Sequence, residues 1–139
     1  MLPITPTGLP SALIQQSALV LSPDSIAAAL VAAVAEAAGL APHFLADHER
    51  ARDAIRRLRP AAVIADCSRG VDAFVGPAMM CGARVALFCA SRDTAAAARA
   101  RLLAERYDVA FFLLPEDVDA LEAYCTEVSR ITSRPDTGS

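Results

Sequence analysis

The chain has 139 residues, 55% of them hydrophobic, and a formal net charge of −3. That length makes one domain with a core of its own, and the charge leaves no basic footprint for nucleic acid. All thirteen basic residues are arginine, which excludes a P-loop lysine, a Schiff-base lysine and a lysine general base together.

The opening MLPITPTGLPSALIQQ carries three prolines and reads as a loose arm over residues 1–16. It has neither a basic n-region nor a long apolar h-region, so it is no signal peptide. Ala18–Leu21 reads as the first strand. Ser22-Pro23-Asp24-Ser25 stops it and caps a helix that ends at Gly39, a natural residue for leaving a helix. This Ala-rich helix contains Glu36, and no apolar run in the chain is long enough to span a membrane. The expectation is a soluble, cytoplasmic protein.

Pro42–Leu45 is a short, weakly marked second strand. Asp47–Leu58 reads as a helix with a charged outer face, ended by Pro60. Ala61–Ala65 is a third strand, apolar on both faces, and runs straight into Asp66. Residues 70–80 read as a short third helix interrupted by Pro77. Arg84–Ala90 is the fourth strand. Ser91-Arg92-Asp93-Thr94 opens a helix that reaches Tyr107, and Val109–Leu114 is the fifth strand, with Phe111 and Phe112 facing opposite sides. Glu116 or Asp117 opens the last helix, where Val118, Leu121, Cys125, Val128 and Ile131 follow helical spacing. Residues 133–139 read as a tail.

Five continuous apolar strands alternating with helices predict a parallel sheet covered on both faces. Units of this size fit the doubly wound, flavodoxin-like order 2-1-3-4-5 over residues 17–132, with the ligand site beyond the C-terminal strand ends. The residues at those ends are Ser22-Pro23-Asp24, Asp47, Asp66-Cys67-Ser68, Cys89-Ala90-Ser91 and Leu114-Pro115-Glu116.

This layout resembles the receiver domain of bacterial response regulators. A receiver has an acidic pair after strand one and a phosphoaccepting aspartate ending strand three. It has a serine or threonine ending strand four, and a lysine followed by a cis-bonded proline ending strand five. Asp66, in VIADCS, falls on the phosphoacceptor and Pro115 on the proline. The acidic pair falls on Ser22 and Pro23, with Asp24 next along; a one-residue shift brings Asp24 into the site. The hydroxyl position falls on Cys89 and the lysine position on Leu114. Phosphoryl transfer to a carboxylate needs a divalent cation to neutralise charge, and magnesium favours carboxylates and water. Ser22 and Pro23 supply no carboxylate, leaving at most Asp24 and Asp66 as ligands. A thiol bonds a phosphoryl oxygen poorly, and a leucine cannot pair with one.

Each of these residues also has a simpler reading. Asp66 and Asp24 are natural caps at strand-to-helix turns. The four cysteines, Cys67, Cys81, Cys89 and Cys125, match no zinc pattern and form no CxxC. Cys67 and Cys89 end neighbouring strands, which permits a redox switch, but two unreactive buried thiols are the plainer reading. His43 and His48 flank the short second strand and read as surface residues.

The resemblance implies a non-enzymatic signalling module that works through contacts with a protein partner, without aspartyl phosphorylation and with no cofactor. One alternative is an atypical phosphoacceptor, modified on Asp66 with magnesium and fed by a histidine kinase. Another is an unrelated flavodoxin-like enzyme or cofactor carrier. Against the last, the chain has no GxGxxG, no phosphate-binding Ser/Thr-rich loop after strand one and no cobalamin-type DxHxxG. Receivers commonly pair through helix four, strand five and helix five. Here helix four carries Arg92, Asp93, Arg99, Arg101, Glu105 and Arg106, and helix five Glu116, Asp117, Asp119, Glu122 and Glu127. A basic stripe beside an acidic one suits a two-fold homodimer.

Overall fold

The computed structural model describes residues 16–67, 70–90 and 92–133. Most of the expected arm and tail, together with Ser68 and Ser91, lies outside the described residues. Five strands, β1 (Ser17–Leu21), β2 (Ala41–His43), β3 (Ala62–Asp66), β4 (Arg84–Cys89) and β5 (Ala110–Leu113), alternate with five helices. The helices are α1 (Ser25–Ala37), α2 (Ala51–Leu58), α3 (Val75–Met80), α4 (Thr94–Tyr107) and α5 (Val118–Ser133). The strands form one sheet in the order β2-β1-β3-β4-β5, and every neighbouring pair is parallel.

Side chains alternate across a strand, and here both faces are apolar. Ala18, Val20, Ala62, Ile64, Ala86, Phe88 and Phe112 pack under α1 and α5. Leu19, Leu21, Val63, Ala65, Val85 and Leu87 pack under α2, α3 and α4. Phe112 is buried, whereas Phe111 is half-buried on the second face, with the Arg101 guanidinium 4.9 Å above its ring. The alanines of α1 let it lie close to the sheet, with Ala27, Ala28 and Ala35 all buried.

Gly39 ends the first helix as its sequence position predicts. Its amide donates to the Glu36 carbonyl at 3.0 Å, and the Leu40 amide donates to the Ala35 carbonyl at 2.9 Å. Gly39 stands at φ +98°, and a Cβ there would come within 3.0 Å of Ser129 Oγ on α5.

The expected helix from Asp47 starts late, at Ala51. His48 takes a left-handed φ of 65° and Glu49 turns back to accept the Ala46 amide at 3.0 Å. Arg57 then grips Glu49 with two hydrogen bonds of 2.9 Å, and this pairing, followed by the Ala46 amide, holds the Glu49 carboxyl below its ordinary range. That local network replaces the first helical turn. His43 lies within β2, not beside it, and is half-buried; His48 is exposed. Pro77 does not interrupt the third helix. It is the third residue of α3, where a backbone N–H has no helical partner to lose. The break falls at Phe74, between a 3-10 turn at Val71–Ala73 and α3, and it places the Phe74 ring in the core at 1% exposure.

Replacing Gly39 by alanine is expected to cost about 1–2 kcal/mol, because an L residue must enter the left-handed region and meet Ser129. Urea unfolding followed by circular dichroism should show a lower midpoint at an unchanged slope. A midpoint equal to that of the parent would contradict this account.

Candidate functional site

The site is built at the C-terminal ends of β1, β3, β4 and β5. Asp66 is the last residue of β3, paired in register with Phe88, and it is 9% exposed. Beside it, the Ser22 hydroxyl lies 3.4 Å from Asp66 Oδ2 and 3.3 Å from the Asp24 carbonyl, two acceptors for its one proton; the same hydroxyl accepts the Asp24 amide at 3.1 Å. The serine thus offers the aspartate a neutral hydroxyl neighbour.

Asp24 is the cap of α1. Its Oδ1 accepts the Ile26 amide at 2.9 Å and the Ala27 amide at 3.5 Å. Its carboxylate is directed at the exposed first turn of the helix while its residue also borders the cleft. Asp47, the second strand-end acid named from sequence, sits in the turn after β2 and is exposed; it is not among the residues that line the cleft.

Leu114 and Pro115 follow β5, joined by a cis peptide bond. Leu114 is 2% exposed and belongs to the core beneath α1 and α5. Its amide donates to the Cys89 carbonyl at 2.9 Å. Its side chain turns inward and packs. Glu116 is exposed. The Asp117 carboxylate folds back to accept the Leu113 amide at 2.8 Å, and α5 begins at the next residue.

Cys67 and Cys89 are brought together. The Cys67 amide donates to the Phe88 carbonyl at 2.9 Å, which completes the last β3–β4 pair, Asp66 with Phe88. Burial first, then the neighbouring Cys89 and Asp66, push the Cys67 thiol up to about 12. Cys67 is half-buried and Cys89 buried; both are free, as is Cys125, which sits apart in the core.

These residues border an open cleft of about 590 Å³. The strand ends contribute Pro23, Asp24, Asp66, Cys67, Cys89 and Ala90. The opposite wall is a stripe of α4, Ala96, Arg99, Ala100 and Leu103. That wall was not anticipated from the strand-end residues, although its i, i+3, i+4, i+7 spacing marks one helix face. Arg99 is therefore a cleft residue, and Arg101 is a partner of Phe111. The basic stripe expected along α4 is divided between two environments.

No protein-family model matches the chain, and no curated protein matches it. Solved structures do. A response regulator from Thermotoga maritima matches with a TM-score of 0.59 at 16% identity, covering 82% of this chain and 97% of its own. The signal receiver domain of a modulated diguanylate cyclase from Desulfovibrio desulfuricans, described as an example of alternate folding, gives 0.60 at 21% identity, covering 86% and 96%. The signal receiver domain of a Luxo repressor protein from Vibrio parahaemolyticus gives 0.55 at 17%, covering 85% and 95%. The chain has the fold of a response-regulator receiver domain, with the flavodoxin-like strand order. Among the described residues, no helix is long and apolar enough to cross a membrane.

The raised thiols and phenol have a consequence for stability. Burial pushes Cys125 up from 9.0 to about 11 and Tyr124 up from 10.0 to about 12, in the same sense as Cys67, which rises from 9.0. The folded chain keeps these protons where the unfolded chain has lost them. Their contribution is intact below about pH 9 and is lost as the pH rises towards 11–12. Melting temperature should be flat in this respect from pH 7 to 8.5 and fall steadily above pH 9. In Cys67→Ser, whose hydroxyl does not titrate there, the fall should be shallower. Equal slopes in both proteins would count against the assignment.

Proposed function

We propose that this chain is a cytoplasmic, receiver-like signalling module that acts through protein contacts and is not switched by aspartyl phosphorylation. The observation that carries the reading is the pairing of Asp66 with the Ser22 hydroxyl, in the place where a second metal-binding carboxylate would be needed. Three further substitutions support it. The Asp24 carboxylate caps α1, Leu114 is packed in the core, and Cys89 stands in the hydroxyl position.

The residues present do not fit the divalent cation that phosphoryl transfer requires. Magnesium demands near-octahedral oxygen ligation and gives up its water reluctantly. Among the described residues the cleft is lined by two carboxylates, Asp24 and Asp66, and Asp24 Oδ1 already accepts backbone amides. No phosphoryl-transfer step is therefore drawn through this site. Incubation with phosphoramidate and magnesium chloride is expected to leave the intact mass unchanged, and calorimetric titration with magnesium chloride should show no binding tighter than about micromolar, an affinity worth about 8 kcal/mol. A gain of one phosphoryl group that disappears in Asp66→Asn would instead establish a working phosphoacceptor.

The partner surface we propose is the edge formed by α4, β5 and α5, with a second copy of the chain as one partner. The outer face of α5 carries Asp119, Glu122 and Glu127 around a shallow groove. On α4, exposed Arg99 and Arg101 supply the opposite charge. Exposed pairs contribute little singly and are screened within about 10 Å at 0.1 M salt, so the association should weaken as salt rises. Sedimentation velocity is expected to show a dimer that Arg99→Glu with Arg101→Glu converts to monomer and that added Asp119→Arg with Glu122→Arg restores. A monomer at every concentration would remove the dimer.

A further inference from the structure

The thiol pair at the ends of β3 and β4 has no role in the reading above, yet it occupies the heart of the site. Pairing of Ala65 with Leu87 and of Asp66 with Phe88 sets the next residues, Cys67 and Cys89, opposite each other. Ala65 and Leu87 both face the α2–α4 side of the sheet. The alternation of side chains puts Cys67 and Cys89 on that same side, where both border the cleft. Neighbouring strands are about 4.8 Å apart, which lies inside the Cα separation of about 4.4–6.8 Å that a disulfide spans. Both thiols are free.

We propose that Cys67 and Cys89 form a reversible redox site, closing to a disulfide under peroxide, so that oxidation is the covalent signal at the position where receivers are phosphorylated. The inference rests on the reading that Asp66 is not the switch. Cys67 is the half-buried member open to the cleft, and Cys89 is 2% exposed. Cys67 Sγ, having given up its proton, attacks one peroxide oxygen. The O–O bond breaks, hydroxide leaves and takes up that proton as water, and Cys67 becomes a sulfenic acid. Cys89 Sγ then displaces the sulfenic hydroxyl, which leaves as a second water with the Cys89 proton. Two thiols lose two electrons in total and one peroxide gains them.

Closure would bond the two sulfurs and tie the turn after Asp66 to the end of β4. It would also remove the thiol that stands in the receiver's hydroxyl position. The burial that pushes Cys67 up to about 12 protects the pair from brief exposure to weak oxidants, so that sustained peroxide is needed.

The test is intact-mass analysis and non-reducing peptide mapping of the full chain after prolonged treatment with hydrogen peroxide. The expected result is loss of two hydrogen atoms, a Cys67–Cys89 cross-linked peptide, and full reversal by dithiothreitol. Cys81→Ser and Cys125→Ser should behave as the parent. Cys89→Ser should halt at a sulfenic acid on Cys67 that dimedone captures. An unchanged mass, a cross-link that includes Cys81 or Cys125, or conversion of Cys67 to its sulfinic acid with Cys89 still free would each overturn the proposal. The peptide map of the unsubstituted chain decides without depending on how any variant folds. The phosphoramidate assay is separate: phosphorylation of Asp66 would refute the reading of the site whatever the thiols do, and a peroxide-inert chain that also resists phosphoramidate would refute the redox site alone.

Discussion

The parallel pairing of β3 with β4 is the constraint on which the rest depends. Residue for residue it runs from Ala62 with Arg84 to Asp66 with Phe88, and the Cys67 amide completes the last pair. Both strands are buried along almost their whole length, so a slip of one residue would turn each apolar side chain to the wrong face. The register is thus held by the core. Because it is held, the residues just past the core have fixed neighbours: Asp66 beside Phe88 and Ser22, Cys67 beside Cys89.

From that point the chemistry follows from what each strand end presents. In a parallel α/β sheet the strand ends open into a crevice bounded by the helices that follow. Here one wall is the small-residue stripe of α4, and the alanines at 96 and 100 leave a wide cleft. Its charged and thiol side chains are Asp24, Asp66, the free Cys67 and Cys89, and Arg99. The core that fixes this fold includes Leu114 and Cys89, both at strand ends.

The charged surface obeys weaker rules. Arg101 is drawn onto the Phe111 ring and Arg99 borders the cleft, while Arg57 is tied to Glu49 across the start of α2. Residues that read as one stripe in a linear listing of charges belong to separate environments, since each long side chain settles on the nearest apolar or oppositely charged neighbour. The acidic face of α5 remains a continuous stripe, Asp119, Glu122 and Glu127 with Arg130.

The sequence by itself determined the five strands, the order of elements, the doubly wound class, the cap at Asp24, the helix exit at Gly39 and the place of Asp66 at a strand end. These are consequences of periodicity, capping chemistry and short apolar runs, all of which act over a few residues. Tertiary structure alone decided the rest. The start of α2 depended on Glu49 reaching eight residues ahead to Arg57. The break before α3 depended on a core site for Phe74, with Pro77 tolerated in a first turn. The placing of Cys67 beside Cys89 and of Ser22 beside Asp66 depended on strands 22 and 44 residues apart being set in register, the latter separation appearing directly in the Ser22–Asp66 hydrogen bond. The cleft wall on α4 depended on how that helix lies across β4. Local patterns cannot encode such distances, because which side chains meet is settled only when the two faces of the sheet are buried and the register is locked.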